Sequence, residues 1–188
     1  VVGNIFPKVT GGFSSTLSWK GISLYARFDY ALGHTLYNDL AARTLGQYQG
    51  AFNIITEVKD MWSEDNPNSD LPAFYYADQL AKKNITRSNN ASASRHNNSS
   101  RLYEKADYLA LRELTLSWDL PKAWTSKAFI QNASVYVTGQ NLFYVTGYTG
   151  TSPEPVLTNS DNNENLYGVD QGRYPTPRTV LFGLSVTF

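Results

Sequence analysis

The sequence of 188 residues contains no cysteine. A disulfide framework, a thiol nucleophile and a cysteine-type zinc site are therefore excluded. Its 16 basic and 16 acidic side chains cancel, so no excess charge favours nucleic acid or an anionic surface as a partner. No apolar run approaches the roughly 18 residues that a membrane-spanning helix needs. A protein that crosses a membrane with strands is still compatible with the sequence, because only alternate residues of such strands face lipid.

Catalytic motifs are also absent from the sequence. There is no G-x-S-x-G, P-loop or H-E-x-x-H segment, so we predict no enzymatic activity, no cofactor and no metal. His34 and His96 are interpreted as solvated loop histidines. The alternating oxygen side chains of Asp161, Asn163 and Asn165 resemble a calcium loop, but other residues stand where an EF-hand needs Gly and Glu. An EF-hand is thus rejected, and a simple loop cation site is the weaker alternative to an ordinary polar loop.

The last twelve residues carry the clearest pattern in the chain. Apolar residues fall on every second position there, and a period of two indicates a strand with one apolar face and one small or polar face. A terminal aromatic suits the final strand of an outer-membrane β-barrel, which closes against the first strand and places an aromatic at the periplasmic interface. We predict that the alternating apolar residues form the assembly signal of such a barrel. They are Phe182, Leu184, Val186 and Phe188.

Four further segments show the same alternation. In the second of them, Leu24 and Phe28 lie on one face while Arg27 and Asp29 lie on the other. Burying these charges in a dry core would be costly, whereas a water-filled lumen accommodates them. The fold class that we predict is all-β, a transmembrane antiparallel β-barrel segment. The five predicted strands span about residues 8–19, 21–32, 107–120, 133–146 and 177–188.

Two long polar segments separate the strands, at about residues 33–106 and 147–176. Both exceed ordinary loop lengths, so each should have a function or be disordered. Apolar residues spaced three or four apart predict short helices at 36–45 and 53–62 in the first segment. Short turns and long loops alternate along the chain, as they do in outer-membrane barrels, so we predict extracellular loops and periplasmic turns.

Five strands are too few to close a barrel, since the smallest have about eight. An open sheet in a bilayer would leave backbone groups unpaired in hydrocarbon, at a cost of several kcal/mol for each group. The missing strands must therefore come from elsewhere. The chain begins at Val1 without a leader pattern, although an outer-membrane protein needs one, so we expect it to be a piece of a longer protein.

Polar side chains on the predicted strands should face the lumen and could line a path for a sugar or a peptide. The alternative is that the lumen wall is simply polar. The segment 140–143 could fix a bulge, or contact a domain that plugs the barrel, rather than bind a ligand. The candidate lumen-facing residues are Tyr25, Arg27, Asp29, Glu113, Tyr136 and Gln140.

Several segments, in order along the chain, resemble the SusC/RagA family of TonB-dependent transporters. Gly3–Gly12 is similar to the family's G-N-x-x-P-K-x-T-G-G, and Val135–Phe143 to its V-Y-x-x-G-Q-N-L-F. The other matching segments are Asn98–Arg101, Ala106–Trp118, Tyr174–Arg178 and Gly183–Phe188. Small departures occur at Ala110, Glu113 and Trp118, and the long loops match nothing in the family pattern.

The resemblance implies a barrel of about 22 strands in the outer membrane of Bacteroidetes-type bacteria, of which this chain would be the last five. It implies active import of oligosaccharides or peptides, a plug and a TonB-contacting segment outside this chain, and a SusD-like surface lipoprotein as a lid. The alternative from a different class is a soluble β-sandwich that binds carbohydrate. A sandwich would bury the outward face of the sheet against a second sheet, whereas a barrel exposes that face to lipid.

Overall fold

The computed structural model describes residues 2–44, 53, 55–71, 100–155 and 167–188. The chain divides into two compact units. The strand unit comprises Pro7–Gly33, Ala106–Gly147 and Pro175–Phe188, and the loop unit comprises Val1–Phe6, His34–Lys105 and Tyr148–Tyr174. In the described ranges, no helix has both the length and the apolarity needed to cross a membrane.

Long strands dominate the strand unit, whereas the described part of the loop unit combines short strands with short helices. The strands are β1 (Val9–Trp19), β2 (Ile22–Leu32), β3 (Thr35–Asn38), β4 (Tyr103–Lys105), β5 (Tyr108–Asp119), β6 (Asn132–Thr146), β7 (Val169–Asp170) and β8 (Thr179–Thr187). The α-helices are α1 (Asp39–Ala42) and α2 (Lys122–Thr125), and 3-10 helices span Thr56–Asp60, Ser100–Leu102 and Ser126–Ala128.

The strand unit is one antiparallel sheet in the order β1-β2-β5-β6-β8. Its register aligns apolar residues of neighbouring strands on one face, as the pairing of Leu24 with Leu116 shows. Phe13 likewise pairs with Phe28, and their rings stack with centroids 5.0 Å apart. The predicted all-β class, with strands that alternate apolar and polar residues, is confirmed.

The apolar face of this sheet is exposed to a degree that is unusual for a protein in water. Leu17 is 67% exposed, Phe182 83% and Leu184 66%. A contiguous apolar surface of this kind marks a site that another apolar phase or partner covers. A β-sandwich would bury this face against a second sheet, so the exposure of these large apolar side chains disagrees with that alternative.

The β1–β2 connection is a two-residue turn at Lys20 and Gly21, with φ of 46° and 84°. Positive φ at both central residues is the geometry of the tight hairpin turn that matches strand twist, and glycine adopts it without steric cost. At the same end of the sheet, the rings of Trp118 and Trp124 meet edge to face at 5.8 Å. The segment after β5 therefore folds back over an aromatic residue of the apolar face.

The loop unit contains a small sheet that the sequence pattern did not predict. β3 pairs with β4 in antiparallel fashion and with β7 in parallel fashion. The predicted helix at 36–45 is therefore wrong at its start, because α1 begins only at Asp39, where the Asn38 side chain accepts a hydrogen bond from the Ala41 N–H. An Asn at this position satisfies one of the free N–H groups of the first turn. The predicted helix at 53–62 corresponds to the 3-10 helix Thr56–Asp60.

His34 was interpreted as a solvated loop histidine, and that interpretation is wrong. The side chain is 1% exposed, and its Nε2 lies 2.8 Å from the carbonyl oxygen of Pro153. This hydrogen bond offsets part of the cost of removing the imidazole from water. The neighbouring Leu36 is completely buried, so this part of the loop unit has a core of its own.

Candidate functional site

The polar face of the strand unit carries a row of polar side chains across adjacent strands. Arg27 of β2 pairs with Glu113 of β5, which pairs with Gln140 of β6. The row continues to Ser14 on β1 and Thr179 on β8. Three of the six candidate residues thus share one register level of the sheet.

The ion pair in that row is loose. Arg27 Nη2 lies 4.0 Å from Glu113 Oε2, at the outer limit of an ion pair and beyond hydrogen-bond distance. The Arg27 side chain is 55% exposed and that of Glu113 is 28% exposed. A contact of this kind contributes little to stability, since solvent screens it.

A tighter ion pair joins Asp29, two residues after Arg27 on β2, to Arg112 of β5. Arg112 donates from Nε to Asp29 Oδ1 and from Nη2 to Asp29 Oδ2, the second over 3.0 Å. Its Nη1 donates to the hydroxyl of Tyr144 over 2.9 Å and meets Asn141 Oδ1 at 3.4 Å. The two-pronged contact matches the planar guanidinium to the carboxylate, which is the strongest geometry for this pair.

Irregular register places Arg112 on the polar face. The β2–β5 pairing shifts between Arg27 and Phe28, and the β5–β6 pairing shifts between Leu111 and Glu113. Opposite Arg112, Asn141 has a φ of 52°, a left-handed conformation that Asn tolerates better than most residues. The alternative reading of segment 140–143, that it fixes a bulge, agrees with this register shift.

A cleft of about 540 Å³ opens beside these charges, at the β1 side of the sheet. Its lining includes Gly12 and Ser14 of β1 together with Arg27, Asp29 and Arg112. Because β1 carries no large side chain at these two positions, the space next to the guanidinium groups stays open. The cleft therefore combines room with two cationic groups and one carboxylate.

The remaining candidates lie elsewhere on the strand unit. Tyr25 pairs with Thr115 in the register of β2 and β5. Tyr136 pairs with Gly183, and its ring covers that glycine so closely that a Cβ there would overlap it. Neither tyrosine lines the cleft. Strand alternation does not predict Arg112 on the polar face. The adjacent charged residues at 112–113 interrupt the alternation and are the sequence signal for it.

In the loop unit, Glu104 is a hydrogen-bond centre between the two long loops. Its Oε1 accepts from Asn38 Nδ2 at 3.0 Å, and its Oε2 accepts from the Thr149 N–H at 2.9 Å. The hydroxyl of Thr149 also lies 2.9 Å from both carboxylate oxygens. Residues from the first long loop and from the second are thereby joined at one carboxylate.

A second carboxylate of the loop unit, Asp170, is fully buried. It accepts hydrogen bonds from the Tyr148 hydroxyl at 2.8 Å and from the Gly172 N–H at 3.0 Å, and Thr151 lies at 3.3 Å. Burial, reinforced by the hydrogen bond to Asp170, raises the pKa of Tyr148 above its usual range. These contacts are what a buried carboxylate requires, and they hold the second loop together.

The predicted assembly residues lie on or just beyond β8, the outer strand of the sheet. Phe182, Leu184 and Val186 share the apolar face, and Phe188 is 81% exposed beyond the strand end. Among the residues that the structure describes, no group of three or more acidic, histidine or cysteine side chains could hold a metal ion. The predictions for His96 and for Asp161, Asn163 and Asn165 concern positions outside the described ranges.

Sequence comparison finds TonB-dependent receptors among known proteins. The chain is 30% identical over 191 residues to TonB-dependent receptor P3 of Formosa agariphila, and 30% identical over 189 residues to TonB-dependent receptor P26 of the same organism. Both matches cover 100% of this chain, which spans only 17% and 18% of these relatives. No protein-family model matches the chain.

Comparison with solved structures gives the same result. The structure of the RagAB peptide transporter matches with a TM-score of 0.73 at 27% identity, over 100% of this chain and 18% of that one. The RagAB peptide importer in its closed-closed state matches with a TM-score of 0.71, also at 27% identity, with the same coverage of both chains. The resemblance that the sequence motifs indicated is therefore confirmed.

Proposed function

The chain resembles the C-terminal part of SusC/RagA-family TonB-dependent transporters, and on that premise we propose that it is part of an outer-membrane active importer. In this role its five-stranded sheet is a section of barrel wall, and its two long loops form the rim. No chemical step is assigned to it, and its relatives are named as receptors and transporters.

The observation that carries the proposal is the contrast between the two faces of the sheet. The apolar face exposes large side chains such as Leu17, Trp19 and Phe182, while the opposite face carries the Arg112–Asp29 pair. Lipid accommodates the first surface, and a wet lumen accommodates the second. A large exposed apolar face opposite a charged polar face is unusual for a monomeric protein in water.

The two outer strands of the sheet support the need for further strands. β1 and β8 each pair on one side only within this sheet, so each leaves a row of backbone groups for another strand. In a bilayer these groups need partners, because there is no water to replace them. We expect the preceding strands of a barrel of about 22 strands to pair with both edges.

The partners that we propose follow from the same family. The remainder of the transporter contributes the plug and the segment that contacts TonB, and a SusD-like lipoprotein covers the rim loops. The cargo is an oligosaccharide or a peptide. The match to the RagAB peptide transporter favours peptides, although the chain covers only 18% of that protein.

Growth on defined nutrients tests the proposal. A strain that lacks this segment and a strain that lacks TonB should lose growth on the same peptide or oligosaccharide, whereas free amino acids and monosaccharides should sustain both. Loss on peptides alone would identify the cargo as peptide, and loss on oligosaccharides alone would identify it as glycan. Unchanged growth of the segment-deleted strain on every nutrient that the TonB-deficient strain cannot use would contradict the importer.

A further inference from the structure

The two arginines of the cleft differ in how far their hydrogen-bonding capacity is used. Arg112 is 17% exposed and directs Nε, Nη1 and Nη2 at acceptors on Asp29, Tyr144 and Asn141. Arg27 is 55% exposed, and its guanidinium reaches Glu113 only at 4.0 Å. The sheet thus holds the Arg112 guanidinium in place, whereas the Arg27 side chain lines the cleft with no ion pair among the described residues shorter than the 4.0 Å one to Glu113.

The charge of the cleft lining favours an anion. Arg27 and Arg112 contribute two positive charges and Asp29 contributes one negative charge, which leaves one positive charge in excess. Both carboxylate oxygens of Asp29 accept hydrogen bonds from Arg112, so Asp29 competes little with a ligand for Arg27. Glu113 does not line the cleft, but its carboxylate lies 4.0 Å from Arg27 Nη2 and offsets part of this positive charge from outside the lining. An incoming carboxylate would meet a guanidinium whose present partner is too distant for a hydrogen bond.

The space in front of Arg27 is shaped by β1. Ser14 is its register partner, and Gly12 pairs with Asp29, so the neighbouring strand raises no large side chain over the guanidinium. The cleft volume of about 540 Å³ lies within the range of small-ligand sites. A planar carboxylate could therefore approach the fork of Arg27 and form two parallel hydrogen bonds.

We propose that Arg27 is a recognition site for a carboxylate group of the cargo, with Arg112 and Asp29 as the fixed wall of that site. The inference rests on the proposed importer and narrows its substrate class to cargo that carries a carboxylate. Such a group is supplied either by a peptide or by an acidic sugar. Both sources present the same planar anion, and the experiment must separate them.

Equilibrium binding to the purified full transporter, with its lipoprotein partner, provides the test. The probes are a short acidic peptide and its amide twin, and an oligogalacturonate and its methyl ester. The unmodified protein should bind the acid form of at least one pair more tightly. In Arg27→Gln the acid form should lose about tenfold or more in affinity, as expected for one charge-assisted hydrogen-bonded pair, while the neutral twin is unchanged.

Two further variants sharpen the result. Arg27→Lys should recover part of the affinity, because lysine keeps the charge but loses the planar fork. Ser18→Ala is the matched control on the polar face of β1, where Ser18 bonds Ser23 far from the cleft, and it should leave discrimination unchanged. Discrimination in the peptide pair alone identifies a peptide cargo, and discrimination in the sugar pair alone identifies an acidic glycan.

Two outcomes would overturn the inference. One is equal binding of acid and neutral twins in both pairs by a transporter that imports. The other is an Arg27→Gln variant that keeps full discrimination but unfolds at lower temperature, which would mean that Arg27 serves a carboxylate of the transporter itself. A protein that shows no TonB-dependent import would contradict the proposed function, and this inference with it.

Discussion

Arg112 and Asp29 form a two-pronged ion pair across an irregular register of β2 and β5, with the Nη2–Oδ2 contact at 3.0 Å. The pair lies on the polar face of a sheet whose other face is apolar and exposed. Strand alternation predicts that Asp29 lies on the polar face, but it does not predict this for Arg112. Hydrogen bonds from Arg112 to Asp29 and Tyr144 fix the positions of these side chains on the polar face.

Removing Arg112 should destabilise the protein measurably. Arg112→Met leaves the Asp29 carboxylate without its two-pronged partner, and the loss of such charge-assisted hydrogen bonds costs about 1–3 kcal/mol. The midpoint of heat-induced unfolding in detergent should therefore fall. Arg27→Met is the matched control and should change the midpoint little, because its 4.0 Å contact with Glu113 is solvent-exposed. Equal unfolding midpoints for Arg112→Met and Arg27→Met would show that the Arg112–Asp29 pair does not stabilise the protein.

A bulkier residue at position 183 should impair the outer strand pairing. The ring of Tyr136 covers Gly183 on the neighbouring strand, so the side chain in Gly183→Val would overlap it. We expect a lower folded fraction, measured as the share of unboiled protein whose gel mobility differs from that of boiled protein. The double variant with Tyr136→Ala should recover part of this folded fraction. Ser185→Val lies two residues along on the same face and is the control. If Gly183→Val folds as well as Ser185→Val, the close packing of the ring is not needed.

The loop unit should contain a tyrosine that ionises unusually late. Burial and the hydrogen bond to Asp170 raise the pKa of Tyr148 above its usual range. Because the folded-state pKa is raised, the contribution to stability is full below the unfolded pKa of about 10 and is lost as the pH rises above it. In a near-ultraviolet titration, Tyr148→Phe should lack one late-ionising tyrosine. Superimposable late titration in both proteins, after correction for tyrosine number, would contradict the assignment.

The terminal aromatic should matter for membrane assembly more than an ordinary residue of the apolar face does. Deletion of Phe188 removes the aromatic residue that follows β8, whereas Val180→Ala trims one side chain inside that strand. Outer-membrane levels of the transporter should fall further for the deletion, measured by immunoblot of membrane fractions. Similar levels in the two strains would argue against an assembly signal.

Alternation along the sequence was sufficient to predict the main sheet, because each strand has one apolar face. In β2, for example, Leu24 and Phe28 fall on that face and Arg27 on the other. The register shift at Arg112 escaped the prediction, since a strict period of two cannot represent an extra residue in one strand. Asn141, which lies opposite Arg112, is a residue type that tolerates positive φ, but its presence alone does not predict the register shift.

The small sheet of the loop unit could not be predicted for a different reason. β3 has four residues and β7 has two, so neither is long enough to show a period. They pair although more than a hundred residues separate Tyr37 from Val169. The burial of His34 depends on the carbonyl of Pro153 in the other loop, which is equally remote in sequence. Contacts of this kind are set by tertiary packing and not by local pattern.

The most direct test of the account is whether this chain is part of a membrane barrel. The protein should be extracted from the outer membrane in detergent, purified through a tag on this chain, and run on a gel with and without boiling. We predict a species that requires detergent, is larger than the 21.0 kDa of this chain, and migrates differently after boiling. A species that remains soluble and monomeric without detergent, with the same mobility before and after boiling, would contradict the barrel.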